Sequence, residues 1–77
     1  MSAAAESFVE QLYEMSGAKL KPFDRYRVGY QIGLDREQTD AVVEELAVER
    51  RIKKMAGMKI MLTPEEKNFI DDAKGLK

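Results

Sequence analysis

Between Val28 and Leu62 the chain reads VGYQIGLDREQTDAVVEELAVERRIKKMAGMKIML, and this stretch constrains the fold more than any other. Val28 and Ile32 stand at i and i+4, as on one face of a short helix, and Gly33 then breaks the pattern. Asp35 followed by Gln38 has capping-box spacing, which starts a longer helix. At helical spacing Thr39, Val42, Val43 and Leu46 cluster on one side, with Ala47 at the margin. Glu37, Asp40, Ala41, Glu44 and Val48 fall on the other. After Arg51 the apolar period changes: Ile52 and Ile60 flank Gly57 as the inward residues of a β-hairpin. A two-residue Ala56-Gly57 turn would put the isoleucines on opposite faces. A loop of Met55, Ala56 and Gly57, with Gly57 left-handed, pairs Ile52 with Ile60 instead. That register sets Lys53 directly opposite Lys59 on the outer face, beside Arg51, a like-charge pairing unfavourable by a few tenths to about 1 kcal/mol.

The flanking segments supply the partners this unit needs. From Ser2 to about Ser16, Ala5, Phe8, Leu12 and Met15 form an apolar helical stripe, widened by Val9 and Tyr13. Glu6, Glu10 and Glu14 line its wet side, and Gly17 ends it. Lys19 to Pro22 is extended ahead of the proline and is expected to lie as a short strand beside the hairpin. Asp24 caps the second helix, which carries Gly29 in its interior at roughly 1 kcal/mol against alanine, a cost that points to close approach by another helix. Leu34 plugs the turn after Gly33. Thr63-Pro64-Glu65-Glu66 starts a last helix running to about Ala73, with Phe69, Ile70 and Ala73 as its apolar side, and Gly75 to Lys77 reads as a loose end.

These elements make an α+β chain, mostly α: a three-helix core, a C-terminal hairpin and a short fourth helix. At 77 residues it is expected to be one domain, 1–77, with the helix-turn-helix at about 24–50, the hairpin at about 51–62 and the last helix at about 64–73. With 0 Cys and 0 His there is no disulfide, thiolate metal site or histidine acid–base chemistry. Glu44-Glu45 and Glu65-Glu66 are adjacent along a helix and diverge rather than share a cleft, and no serine has a histidine to activate it, so an enzyme is not expected. No cofactor, metal or small-molecule substrate is implied, and no segment reads as a signal peptide or membrane span, so a cytoplasmic protein is expected by default. The net charge of -1 conceals a segregation: Asp35 to Glu49 is acidic but for Arg36, whereas Arg50, Arg51, Lys53, Lys54 and Lys59 follow with no acid among them.

The run Val28-Gly29-x-x-Ile32-Gly33-Leu34-Asp35, then Val42-Val43-x-x-Leu46, resembles the helix-turn-helix of bacterial and archaeal winged-helix regulators. Leu46-x-x-x-Arg50-Arg51-Ile52 and the exit Leu62-Thr63-Pro64 look like the end of the recognition helix and the wing of MarR-type and related families, central module only. That resemblance implies a winged helix-turn-helix that binds DNA as a transcriptional regulator. The chain departs from it where the family usually has Gly at Arg50 and an apolar residue at Arg51, and in the acidic outer face of its third helix. Three carboxylates on that face would repel phosphates, leaving Arg36 and Gln38 as its only base-reading candidates. The better claim lies with the hairpin, where Arg50, Arg51, Lys53, Lys54 and Lys59 form a phosphate-contacting ridge extended by Arg25 and Arg27. Five such contacts would give a log K against log salt slope of about -4 to -5. Lysines also blunt an exposed sheet edge without any ligand. The alternative is a protein–protein interaction module that uses the acidic third helix, or a homodimer, without nucleic acid.

Overall fold

The computed structural model describes residues 2–75; Met1, Leu76 and Lys77, the last two assigned above to the loose end, lie outside the described residues. Among the described residues the chain runs α1 (Ala3–Ser16), β1 (Phe23–Asp24), α2 (Arg25–Gln31), α3 (Arg36–Val48), β2 (Ile52–Lys54), β3 (Lys59–Leu62) and α4 (Pro64–Ala73). This is a small, mostly helical α+β arrangement with four helices and an antiparallel sheet in the order β1-β3-β2. Each helix begins at a side-chain cap the sequence supplies: Ser2 for α1, Asp24 for α2, Asp35 with Gln38 as a reciprocal capping box for α3, and Thr63 ahead of Pro64 for α4. Phe8 and Leu12 of α1, Val28 of α2, Val43 and Leu46 of α3, and Ile60 and Leu62 of β3 are fully buried, and this is the core. The strand expected at Lys19 to Pro22 falls instead on Phe23–Asp24, paired Phe23 to Ile60 and Asp24 to Lys59. Proline has no N–H to give a ladder, so pairing starts after Pro22.

Gly29 is explained by α3. A Cβ there would collide with Thr39 Oγ1 and lie 3.1 Å from both Thr39 Cβ and Cγ2, so α2 and α3 cross where the glycine is. The hairpin register differs from the expected one. Ile52 pairs with Leu62, Lys53 with Met61 and Lys54 with Ile60, and the Met55 N–H donates to Lys59 O at 2.7 Å. The loop is therefore Ala56 to Met58, one residue later than expected, with Gly57 and Met58 both left-handed. The slip keeps Ile52 and Ile60 on the inner face, because it moves the partner strand by two. It also sets Leu62 opposite Ile52 in the core, where the expected register would have placed Leu62 opposite Arg50. Lys53 and Lys59 are thus diagonal neighbours rather than a direct like-charge pair.

The apolar side expected for α4 is also corrected. Ile70 is buried, but Phe69 is 67% exposed and Ala73 is exposed. The inner side is taken by Glu66 and Asp71, both buried and both answered by partners. The Tyr13 hydroxyl donates to Asp71 Oδ1 at 2.6 Å, and Lys67 Nζ meets the other carboxylate oxygen at 2.6 Å.

Candidate nucleic-acid interface

The cations and the amide proposed as contacts divide by what already holds them. Arg25 is buried: its Nε donates to Met58 O at 3.2 Å and its Nη1 to Asp40 Oδ1 at 3.4 Å, which ties the hairpin loop to α3. Arg51 does not lie on the outer face of the hairpin, where the sequence places it. It turns toward α1 and α4, donating to Glu66 Oε2 at 3.0 and 2.7 Å and to Glu6 Oε2 at 3.1 Å, with its side chain 13% exposed. Burial alone would lower its pKa, but the hydrogen bonds to Glu66 and Glu6 outweigh that and hold the guanidinium more firmly charged than usual. Lys54 Nζ lies 2.7 Å from Glu44 Oε1, Arg36 stacks 4.3 Å from the centre of the Tyr26 ring, and the Gln38 side chain accepts the Asp35 N–H at 3.0 Å. Arg25, Arg51 and Lys54 are thus each committed to a carboxylate, whereas the Arg36 side-chain N–H groups and the Gln38 amide N–H groups have no hydrogen-bond partner among the described residues.

Arg27, Arg50, Lys53 and Lys59 are the rest. All are exposed, and among the described residues no ion pair or hydrogen bond engages their side chains. The sheet places them in a row. Arg27 lies in the first turn of α2, its N–H donated to Asp24 Oδ1; Asp24 is directly across from Lys59. Lys59 shares its face of β3 with Met61, which is paired with Lys53. Diagonal neighbours of this kind stand roughly 7–8 Å apart, their Cβ atoms somewhat closer. Lys53 and Arg50 then line a common cavity of about 560 Å³ at the far end of the row.

The acidic face of α3 is less exposed to a phosphate than its sequence implies. Asp40 takes Arg25 and also accepts the Tyr26 hydroxyl at 2.8 Å, and Glu44 takes Lys54. The Tyr26 phenol is held above its ordinary pKa by that hydrogen bond and by burial. Glu37 has no ion pair among the described residues, so the face is partly neutralised. Tyr26 joins this surface without a motif to announce it; its position two residues past the Asp24 cap, beside Arg25, is the only local signal for it. Among the described residues no group of acidic, histidine or cysteine side chains is arranged to hold a metal, and no helix is long and apolar enough to cross a membrane. Compared with known proteins, the chain matches no family model, no curated protein and no solved structure.

Proposed function

We propose that this chain is a winged-helix module that binds duplex DNA through phosphate contacts along the outer face of its sheet. Lys53 and Lys59 lead, with Arg27 and Arg50 at the ends of the row. The observation that carries this is the row itself: cations with no internal partner among the described residues, on one line, in a molecule where Arg25, Arg51 and Lys54 are each spent on a carboxylate. The order helix, tight turn, longer helix, hairpin supports the winged-helix reading. Pairing of Asp40 and Glu44 removes much of the repulsion that counted against DNA, and it draws support away from an acidic α3 surface as a protein-docking face.

Four phosphate contacts predict a log K against log salt slope of about -3 to -4, and affinity in the non-specific range of roughly 10⁻⁴ to 10⁻⁶ M at physiological salt. The test is a titration of a labelled duplex at low and moderate salt, followed by amide chemical shifts. Shifts centred on Arg27, Arg50, Lys53 and Lys59 are expected, with a Lys53→Ala, Lys59→Ala double variant flattening the salt slope by about 2. Shifts concentrated on Arg36 to Glu44 would show that α3, not the sheet face, meets the DNA. No binding at low salt would remove the function.

A further inference from the structure

We infer that the free edge of β2 is a docking site for an extended acidic peptide whose side chains alternate between carboxylate and apolar. In the sheet order β1-β3-β2 this strand has a neighbour on one side only among the described residues. Thr63 N–H donates to Arg51 O and Met55 N–H to Lys59 O, which fixes the hydrogen-bonded pairs of the ladder at 51, 53 and 55. The N–H and C=O of Ile52 and Lys54 therefore point away from β3, and among the described residues no turn or loop hydrogen bond engages them. They open onto the 560 Å³ cavity between β2, the end of α3 and the start of α4, lined by Ala47, Ile52 and Pro64 below and by Arg50, Lys53 and Lys54 around it. A strand added here by backbone pairing alternates its own side chains between the side of Ile52, where Lys54 is already paired with Glu44 and the cavity floor is Ala47 and Pro64, and the Lys53 side, where the cation is unpaired among the described residues. The ligand pattern follows from that alternation.

Arg50 strengthens the case. It holds a left-handed backbone at φ 59, a conformation that glycine adopts freely and that residues with a Cβ seldom adopt, and Thr63 Oγ1 clamps it by donating to Arg50 O at 2.9 Å. That backbone is the left-handed end of α3, with Arg50 N–H donating to Ala47 O and Arg51 N–H to Leu46 O, and it sets the exposed Arg50 side chain, without an internal partner among the described residues, at the mouth of the cavity. A second copy is the weaker occupant, since pairing two β2 edges brings lysine rows together. Glu65 on the α4 rim repels carboxylates at that end and favours entry of the acidic side chains along Arg50 and Lys53.

The probe is a six-residue peptide alternating aspartate and valine, blocked at both ends, titrated into isotopically labelled full-length chain. Chemical-shift changes and slowed exchange at the Ile52 and Lys54 amides are expected, with Arg50→Gly and Lys53→Ala each weakening binding about fivefold. Arg50→Gly relieves a left-handed residue, so it is expected to fold. Three results would overturn the proposal: unmoved Ile52 and Lys54 amides, equal binding of a lysine–valine peptide, or equal binding of a peptide methylated on the backbone nitrogens that face β2. Concentration-dependent protection of those amides in the chain alone would assign the edge to a second copy and overturn it as well.

Discussion

The crossing of α2 and α3 makes a sharp energetic prediction through Gly29 and Thr39. Gly29→Ala should gain about 1 kcal/mol of helix propensity. The new Cβ would meet Thr39 Oγ1 well inside contact distance, with Thr39 Cβ and Cγ2 each at 3.1 Å. Rotating Thr39 exchanges one heavy atom for another, and the residue is 1% exposed, so the helices must part. Overpacking of this kind costs about 1–3 kcal/mol, and here the upper end applies, leaving Gly29→Ala about 2 kcal/mol less stable. Thr39→Ala alone should be nearly neutral. It removes a buried methyl worth about 0.8 kcal/mol, but also a hydroxyl that has no hydrogen-bond partner among the described residues and whose burial costs at least about 1 kcal/mol. In the double variant the methyl introduced at position 29 enters the space left by the Thr39 Oγ1 and Cγ2 atoms, so stability should return to the parent value or exceed it. The coupling is then about 2–3 kcal/mol. Urea unfolding of the four proteins followed by circular dichroism measures it, and the melting temperature of Gly29→Ala should fall by roughly 8–16 °C. An additive cycle within about 0.5 kcal/mol, or a Gly29→Ala protein as stable as the parent, would refute the close crossing.

Arg51→Met should destabilise the fold by about 3 kcal/mol, because Glu66, its side chain 9% exposed, loses the cation that answers it; adding Glu66→Leu should restore most of the loss, and DNA affinity should not change in the folded double variant. Denaturant midpoints and a duplex titration check both halves. Tyr13, its pKa pushed up to about 12 by the hydrogen bond to Asp71 and by burial, keeps in the folded chain a proton that unfolded tyrosine loses near its ordinary pKa of about 10. Its contribution is fully present below about pH 10 and is lost as pH rises toward 12, so the alkaline fall in unfolding midpoint should flatten in Tyr13→Phe, with one fewer late-titrating tyrosinate by absorbance.

The legible parts of this fold are the ones written locally. Every helix cap is a residue within three of the helix it starts, and the inward stripes of α1 and α3 follow from spacing alone. The hairpin register is not legible, since a slip of two preserves which residues face inward and only the placement of Leu62 against Ile52 chooses between the alternatives. The inner side of α4 escapes the sequence for a related reason. Hydrophobicity picks Phe69 and Ala73, yet Glu66 and Asp71 can be buried because Arg51 and Tyr13 meet them from other elements. Arg25 and Arg51 read as surface cations because Asp40, Glu66 and Glu6, the carboxylates that hold them, stand 15 to 45 residues away along the chain. Of the candidate contacts, the ones without such partners are those that keep their claim.

Segregated charge in the sequence turns out to be a device for joining elements, and only what remains after joining is available for function. Lys54 binds the basic hairpin to the acidic α3 through Glu44, Arg25 binds α2 and the loop to the same helix through Asp40, and Arg51 draws α1 and α4 onto the root of the hairpin. The half-exposed Lys54–Glu44 pair contributes at most about 1 kcal/mol, so its main effect is on surface potential: it cancels a carboxylate that would face a phosphate. The Arg51 cluster is the energetic one, being largely dry, and for that reason it has no capacity left for a ligand. A partly neutralised helix face beside a row of unspent cations is a surface that attracts an anion along the sheet without reading its sequence. Sequence discrimination by this chain would then have to come from the shape of the duplex, and an acidic strand on the free edge of β2 would take Arg50 and Lys53 from that row, so the two ligands would compete there.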